Sequence, residues 1–202
     1  MNAAELKGKR IAILGTGREG MSALRYLREL DPGLALTLVD EKTPSPEVLE
    51  QLGDNDELLI LNLDETGLDH FDVLIRSPGI SPYRTAIRNA VDADAQVVSA
   101  STLWFAAHPE AKTICITGTK GKSTTSSLVA HILGSAGFTV RLAGNIGRPL
   151  LDCDDHDVDW WVIELPSYQL ADLQAKPDIS ALLNLSPEHL DWHGSEAVYF
   201  AD

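Results

Sequence analysis

The sequence contains little cysteine, little basic charge and no long apolar run. Only two of its 202 residues are cysteines, Cys115 and Cys153, which argues against a disulfide framework and leaves no paired-cysteine metal spacing. Lysine and arginine number 16 against 30 aspartates and glutamates, so the formal net charge is −14. An acidic chain binds a phosphate backbone poorly, and we therefore expect no nucleic-acid partner.

Segments that would direct the chain to a membrane are also missing from the sequence. The N-terminus, MNAAELKGKR, lacks the apolar run of a signal peptide, and no stretch approaches about 18 consecutive apolar residues. We therefore expect a cytoplasmic protein with no membrane insertion. Hydrophobic residues make up 44% and charged residues 23%, which is typical of a globular chain with a buried core.

Short apolar strands alternate with helical patterns along the whole chain. The polar, proline-containing segment 107–112 interrupts this alternation, so we place a domain boundary after residue 108. The pattern predicts an α/β fold of two parallel-sheet domains, 1–108 and 109–202, with helices outside the sheets. The predicted strands span residues 10–14, 35–40, 57–61, 72–76 and 96–99 in the first domain, and 112–117, 138–143, 160–165 and 179–185 in the second.

The second domain has fewer predicted strands than its pattern requires. Parallel sheets of this kind usually hold about five or six strands, whereas only four are predicted after residue 108. We therefore expect the sequence to be part of a longer protein.

The first glycine motif, GTGREG, places Gly15, Gly17 and Gly20 between a predicted strand and a helix. Asp40 ends the next strand, 20 residues after Gly20, which completes the fingerprint of a dinucleotide-binding loop. The motif indicates a diphosphate-containing nucleotide, and NAD and a nucleotide-sugar diphosphate both fit it. A tight strand-to-helix turn without a ligand is the simpler alternative.

The second loop, TGTKGKSTT, is close to the phosphate-binding pattern G-x-x-x-x-G-K-[ST] but lacks its first glycine. Ile116 stands at that position, and Gly118 follows two residues later. The loop also joins a strand to a helix. Backbone N–H groups from Gly118 to Ser123 would hold phosphate, Lys122 would reach the terminal phosphates, and Ser123 would hold Mg²⁺.

Two further side chains follow strand ends in the second domain. Glu164 ends the strand WWVIE and is a candidate Mg²⁺ ligand, with a solvated strand-end carboxylate as the alternative. His189 follows the next strand and is a candidate at the same sheet edge. For His193 we expect a structural role. Its separation from His189 by four residues does not form the zinc motif H-E-x-x-H, and Pro187 favours an irregular loop.

These loops occur in order with the blocks GNIG at 144–147, ELPSYQL at 164–170 and NLSPEHLDWHG at 184–194. Together they resemble the Mur ligase family of cell-wall synthesis, whose ATP signature also lacks the first glycine. The resemblance implies a Rossmann-like N-terminal domain that binds the UDP part of the substrate, followed by part of a P-loop parallel α/β domain that binds ATP. It also implies a third domain, outside this sequence, that brings the amino acid.

The activity implied by the resemblance is ATP-dependent addition of glutamate to UDP-N-acetylmuramoyl-L-alanine through an acyl phosphate, with two Mg²⁺ sites. GREG, SPGISPYR, TLWFAAH and PEHLDWHG are most similar to the branch that adds L-glutamate, and the branch that adds D-glutamate is the alternative. We expect a monomer, and we expect the 202-residue chain alone to be inactive as a ligase. A non-catalytic nucleotide-binding module is a further alternative for this chain, whereas an NAD-dependent oxidoreductase would leave the second loop unexplained.

Residue roles follow from the matching motif positions. The resemblance implies that Lys122 neutralises the β- and γ-phosphates, that Ser123 and Glu164 hold one Mg²⁺, and that His189 holds a second. Of these, Lys122, Glu164 and His189 are the expected catalytic residues. The ATP loop comprises Gly118, Thr119, Lys120, Gly121, Lys122, Ser123 and Thr124. The implied substrate contacts are Gly17, Arg18, Glu19, Asp40, Glu41, Lys42, Ser77, Gly79, Asn145 and Ser167.

The sequence departs from the family pattern at three places. Arg18 and Glu19 replace the leucine and threonine that are common in the D-glutamate enzymes. Pro166 stands where the form ELSS has its first serine, which removes a hydroxyl and an N–H donor. A carbamylated lysine that helps to hold the second Mg²⁺ in the family would fall immediately after Asp202.

Overall fold

The computed structural model describes residues 3–65, 67–153 and 156–202. The chain divides into two compact units, Met1–Leu103 and Trp104–Asp202. The division lies slightly before the boundary predicted after residue 108. Trp104 is buried in a cluster with Cys115 and Trp161, which accounts for its place in the second unit.

The first unit is a five-stranded parallel sheet with strand order β3-β2-β1-β4-β5. Its central strands β1 and β4 are buried along their whole length, because a parallel sheet covered on both faces needs apolar residues throughout. Its elements are α1 (Ala3–Leu6), β1 (Ile11–Leu14), α2 (Arg18–Leu30), β2 (Leu36–Asp40), α3 (Pro46–Leu49), β3 (Glu57–Ile60), β4 (Val73–Arg76), α4 (Thr85–Asp92), β5 (Gln96–Ser99) and the first part of α5 (Ala100–Ala107).

The second unit is a four-stranded parallel sheet with strand order β7-β8-β6-β9. The neighbours of its strand β6 are therefore β8 on one side and β9 on the other. After α5 its elements are β6 (Thr113–Thr117), α6 (Lys122–Ser135), β7 (Val140–Gly144), a 3₁₀ turn (Leu150–Asp152), β8 (Trp160–Glu164), α7 (Ser167–Leu170), β9 (Ile179–Leu182), α8 (Leu190–His193) and α9 (Glu196–Ala201).

All nine predicted strands are present, with ends that differ by up to three residues, and the parallel α/β class is confirmed. The apolar side chains of α6 are not all buried against the sheet. Val129 and Leu133 pack on the sheet, but Leu128 and Ile132 are each 55% exposed because they lie on the outer face of the helix. Within the described parts of the chain, no helix is long and apolar enough to cross a membrane.

Candidate functional site

The loop after β6 requires glycine at two positions. Gly118 has φ +134° and Gly121 has φ +86°, which are conformations that side chains with a Cβ rarely adopt. A Cβ at Gly118 would also lie 2.9 Å from the backbone oxygen of Asn184. Gly118 therefore lets the loop approach the segment that follows β9, and α6 begins directly after Gly121.

Asn184 holds this loop through both its backbone and its side chain. Its backbone oxygen accepts a hydrogen bond from the N–H of Thr119 at 3.0 Å. Its Oδ1 accepts from the N–H of Lys120 at 2.9 Å, and its Nδ2 donates to the Lys120 carbonyl at 2.8 Å. Within the segment Gly118 to Ser123, whose N–H groups are predicted to hold phosphate, those of Thr119 and Lys120 bind Asn184 instead.

The hydroxyl of Thr119 is also occupied within the protein. It accepts from the N–H of Ser186 at 2.8 Å and lies 2.9 Å from the Ser186 carbonyl oxygen. The Tyr199 hydroxyl lies 2.8 Å away on α9. Because Thr119 is buried and satisfied in this way, its side chain fixes the loop and does not face a ligand.

The N–H groups of the first turn of α6 are further candidate donors for phosphate. A helix leaves these groups without intrahelical acceptors, and the partial positive charge at this end of a helix attracts anions. Ser123 and Thr124 are exposed in this turn. The Lys122 ammonium donates to the carbonyls of Gly118 at 2.6 Å and Thr119 at 3.0 Å, so it lies over the loop.

Glu164 ends β8, the neighbour of β6, and its side chain is held by the GNIG loop. It is only 1% exposed. Asn145 donates from Nδ2 to Oε1 of Glu164 at 2.7 Å and from its backbone N–H to the Glu164 carbonyl at 3.0 Å. Gly144 permits this contact, since a Cβ there would lie 2.4 Å from the same carbonyl oxygen.

The second carboxylate oxygen of Glu164 fits a role in binding Mg²⁺. Oε2 is buried and has no hydrogen-bond partner among the described residues. An ionised oxygen is costly to bury without a partner, and Mg²⁺ prefers such oxygens. The described residues contain no group of three or more histidines, cysteines or carboxylates that could hold a metal alone. Phosphate oxygens and water would therefore complete the coordination, as is usual for Mg²⁺ at nucleotides.

His189 immediately precedes α8 and is exposed, with a left-handed backbone at φ +54°. Its ring packs 4.8 Å from that of Tyr168. The adjacent Glu188 forms an ion pair with Lys120, and the hydrogen bond from that lysine lowers the pKa of the Glu188 carboxyl. This ion pair places the residue before His189 directly against the phosphate loop.

Ser167, at the start of α7, contacts a buried histidine. Its hydroxyl lies 3.0 Å from Nε2 of His193, and Nδ1 of that histidine contacts Asp202. His193 is 1% exposed, so the predicted structural role for it agrees with its burial.

Two glycines in the glycine loop of the first unit have different roles, one in packing and one in access to the helix end. A Cβ at Gly20 would lie 1.9 Å from the backbone oxygen of Gly15, so Gly20 is required for the packing of α2 against the loop. Gly17 has φ −75° and open space where a Cβ would stand. Its lack of a side chain leaves the end of α2 accessible. Arg18, which is exposed, and Glu19 follow it in the first turn.

Asp40 uses its carboxylate to bind the same glycine loop. Oδ2 accepts from the N–H of Thr16 at 2.8 Å and from its hydroxyl at 2.6 Å, and Oδ1 accepts from the N–H of Lys42 at 3.2 Å. Partial burial raises the pKa of Asp40, but the hydrogen bonds from Thr16, Lys42 and Glu41 together lower it below its usual value. The side chain of Glu41 pairs with Arg84 at 2.5 Å, whereas that of Lys42 is exposed.

The buried side chain of Arg76 binds the backbone of the loop that carries Ser77 and Gly79. This arginine is 1% exposed, and its Nη1 donates to the carbonyls of Ser77 at 3.2 Å and Ile80 at 2.6 Å. Ser77 donates to the Gly15 carbonyl at 3.3 Å, which brings this loop against the glycine loop. A Cβ at Gly79 would meet no atom within 4 Å.

The structure thus groups the candidate residues at the carboxyl ends of two separate sheets. Sequence reasoning missed several residues that hold them there. The asparagine in NLSP and the buried arginine of DVLIR were visible as polar residues beside strands, but nothing local indicated their partners. The missed residues are Thr16, Arg76, Asn184 and Tyr199.

Comparison with known proteins adds the family. Residues 9–99 match the Mur ligase MurD-like N-terminal domain, and residues 116–202 match the Mur ligase middle domain. The chain is 41% identical to the UDP-N-acetylmuramoyl-L-alanine--L-glutamate ligase of Xanthomonas axonopodis pv. citri (strain 306). It is 42% identical to the protein of that name in Xylella fastidiosa (strain 9a5c) and 37% identical to the one in Salinispora tropica. Each alignment covers 100% of this chain and 45% of the relative, so the chain spans about half the length of the curated relatives it matches.

A solved structure shares the fold at low sequence identity. The UDP-N-acetylmuramate:L-alanyl-gamma-D-glutamyl-meso-diaminopimelate ligase from Neisseria meningitides aligns with a TM-score of 0.52 and 19% identity, over 96% of this chain and 65% of that one. This likeness supports the α/β architecture. With Mur ligase domains matched at both 9–99 and 116–202, the chain belongs to the Mur ligase family.

Proposed function

We propose that this chain supplies the UDP-substrate-binding and ATP-binding parts of a ligase that adds L-glutamate to UDP-N-acetylmuramoyl-L-alanine. The observation that carries the proposal is the buried, unpartnered Oε2 of Glu164 beside a strand that ends in a phosphate loop. The names of the relatives favour L-glutamate over D-glutamate. Since the chain spans 45% of those relatives, the complete activity is proposed for the full-length protein that carries this sequence.

The proposed reaction has two steps that place different demands on the chain. The substrate carboxylate attacks the γ-phosphate of ATP, which forms an acyl phosphate and releases ADP. The glutamate amine then attacks the acyl carbon, loses its proton and displaces phosphate. Both steps require closely placed anions to be oriented and neutralised, and such positioning accounts for most of the catalysis of phosphoryl transfer.

The second unit would bind ATP at the end of β6. The first-turn N–H groups of α6 and the backbone of Gly121 would hold the phosphates, and Lys122 would exchange its two carbonyl contacts for the β- and γ-phosphates. Thr119, Lys120 and Thr124 would shape the loop. Glu164 and Ser123 would hold Mg²⁺, which neutralises phosphate charge when bound, and His189 would hold a second ion.

The first unit would bind the UDP part of the substrate. Gly17 leaves room for a diphosphate beside the N-terminus of α2, which is thirteen residues long and favours anions there. The other residues proposed to contact the UDP part belong to the glycine loop or to the ends of neighbouring strands. They are Arg18, Glu19, Asp40, Glu41, Lys42, Ser77 and Gly79. The MurD-like N-terminal match supports a UDP-sugar here rather than NAD. We further propose Asn145 and Ser167 as contacts to the muramoyl part, a cytoplasmic location and a monomer.

The test is product formation by the full-length protein. We expect release of ADP and phosphate only when UDP-N-acetylmuramoyl-L-alanine, L-glutamate and MgATP are all present. Equal release without glutamate would contradict the proposal, and turnover of D-glutamate instead would assign the protein to the other branch. The 202-residue chain should give no ligation product, although calorimetry should detect its binding of the UDP substrate and of MgATP if it serves as a binding module.

A further inference from the structure

Three side chains of the second unit form a continuous hydrogen-bonded row. Ser167 Oγ lies 3.0 Å from Nε2 of His193, and Nδ1 of His193 lies 2.5 Å from Oδ2 of Asp202. The three residues come from α7, α8 and the end of α9. Ser167 is partly exposed and the side chains of His193 and Asp202 are mostly buried, so the row leads from a partly exposed serine to a mostly buried carboxylate.

The imidazole in the middle of this row is held rigidly. The His193 side chain has no exposed surface, and that of Asp202 is 7% exposed. The ring packs edge-on against Tyr199 at 5.1 Å and against Trp192 at 4.6 Å, and it stacks on Tyr168 at 6.0 Å. Rotation of the ring would therefore require these aromatic side chains to move.

The direction of the hydrogen bonds follows from the chemistry of the two ends. An ionised carboxylate accepts hydrogen bonds and cannot donate them. When the imidazole carries one proton, Asp202 therefore favours that proton on Nδ1, as the aspartate of a Ser-His-Asp arrangement does. Nε2 is then an acceptor, so in the contact between them the hydroxyl of Ser167 donates the hydrogen bond and Nε2 of His193 accepts it.

We propose that His193 and Asp202 are positioning residues that present the oxygen of Ser167 to substrate as a hydrogen-bond acceptor. Ser167 then recognises a hydrogen-bond donor, an amide N–H or a sugar hydroxyl, and not a phosphate oxygen. The inference rests on the proposed function for the identity of the substrate, but not for the direction of the hydrogen bonds. It specifies the kind of contact that Ser167 makes with the muramoyl part of the substrate.

The direction of the hydrogen bonds can be measured without any substrate. We expect ¹⁵N NMR of the full-length protein to show the neutral imidazole of His193 as the single tautomer protonated at Nδ1. Asp202→Asn should remove this preference, because an amide offers a donor as well as an acceptor. A proton on Nε2 in the parent protein, alone or together with Nδ1, would overturn the proposal whether or not the protein is a ligase.

The role toward substrate is tested by a double-mutant cycle in the full-length protein. Ser167→Ala should raise KM for UDP-N-acetylmuramoyl-L-alanine about 2- to 12-fold, the worth of one hydrogen bond, and leave KM for ATP unchanged. Asp202→Asn should raise the same KM in the parent but have no further effect in the Ser167→Ala background. Ser167→Thr, which keeps the hydroxyl, should restore most of the affinity.

The outcomes separate positioning from general structural support. Independent, additive effects of Ser167→Ala and Asp202→Asn would mean that Asp202 acts on the fold, which would overturn the proposal. Asp94→Asn, an exposed carboxylate in the first unit, is the control for loss of one charge. UDP-N-acetylmuramate lacks the alanyl amide, so an unchanged effect of Ser167→Ala with it would place the donor on the sugar. If the parent protein binds no UDP-muramoyl substrate at all, the proposed function fails while the NMR result still stands.

Discussion

Asn145 donates a hydrogen bond to Oε1 of Glu164 at 2.7 Å, while Oε2 of the same carboxylate is buried without a hydrogen-bond partner among the described residues. The contact fixes the plane of the carboxylate. Gly144 and the parallel pairing of β7 with β8 bring Asn145 to this position. One oxygen is thus used for orientation, and the other remains for a cation.

Replacing Glu164 with glutamine should separate activity from stability. Glu164→Gln keeps the shape of the side chain but removes the charge that we propose for Mg²⁺ binding. We expect Mg²⁺-dependent ADP release by the full-length protein to fall by about 100-fold or more, as for loss of other preorganised charge-stabilising groups. The melting temperature should not fall, because glutamine keeps the shape of the side chain and the oxygen that accepts a hydrogen bond from Asn145.

The matched control is Glu110→Gln, which changes an exposed glutamate of the same unit. It should leave both the rate and the melting temperature unchanged. Full activity in Glu164→Gln would rule out the proposed metal role of this carboxylate.

Alanine at two glycines of the GTGREG loop should affect different properties, stability at Gly20 and substrate binding at Gly17. Gly20→Ala places a Cβ 1.9 Å from the Gly15 oxygen, so the free energy of unfolding should fall by about 1–3 kcal/mol or more. Gly17→Ala meets open space and should change it by less than about 1 kcal/mol. However, Gly17→Ala should weaken binding of the UDP substrate at least about tenfold, because its methyl group occupies the proposed diphosphate position.

Urea unfolding measures the first effect, and calorimetry with UDP-N-acetylmuramoyl-L-alanine measures the second. Unchanged affinity in Gly17→Ala would remove the diphosphate from this loop. An equally stable Gly20→Ala protein would show that the loop can rearrange around the added methyl group.

Asn184 should contribute to ATP binding without touching ATP. Asn184→Ala removes both side-chain hydrogen bonds to Lys120 but keeps the backbone bond to Thr119. The loop must then be ordered when the nucleotide binds, so we expect the Kd for MgATP to rise about tenfold, equivalent to roughly 1.4 kcal/mol. Calorimetry on the full-length protein checks this, with the exposed Asn55→Ala as control. Affinity within about twofold of the parent would show that the loop stays ordered without these bonds.

The strands and the positions of both loops were predictable because their signals are local. A buried parallel strand is a short apolar run, and the loop after it is marked by glycine. The parallel direction then sends Glu164 and the phosphate loop to the same sheet edge. The pairing of Ile116 with Glu164 in the structure is consistent with that reasoning.

The contacts that hold the loops depend on strand order and could not be read locally. Asn184 reaches Lys120 because β9 is the other neighbour of β6, with Ala181 paired to Ile116. Nothing within the segment NLSPEHLDWHG indicates this neighbour. The same limit applies to the buried Arg76, whose partners are carbonyls of a loop that folds back over its side chain.

The thiol of Cys115 should resist alkylation in the folded protein. It is 5% exposed beside Trp104 and Trp161, and burial together with the charge of Asp178 raises its pKa from 9.0 to about 12. At pH 8 the thiolate fraction would then be on the order of 10⁻⁴, and only the thiolate reacts. Iodoacetamide followed by mass spectrometry should therefore label Cys115 only after unfolding.

The same shift predicts a dependence of stability on alkaline pH. The pKa of Cys115 in the folded protein lies above its pKa in the unfolded chain. The contribution of the protonated thiol to the free energy of unfolding is therefore complete below about pH 9. It is lost as the pH rises toward 12, because the thiol is deprotonated in the unfolded chain before it is deprotonated in the folded protein. Cys115→Ala lacks this group, so its deficit in unfolding free energy relative to the parent should shrink between about pH 9 and pH 11. Other residues titrate in this range in both proteins, and the difference between the two cancels their effect. A constant deficit across this range, or labelling of native Cys115 that rises with a midpoint near pH 9, would show that the thiol titrates as if exposed.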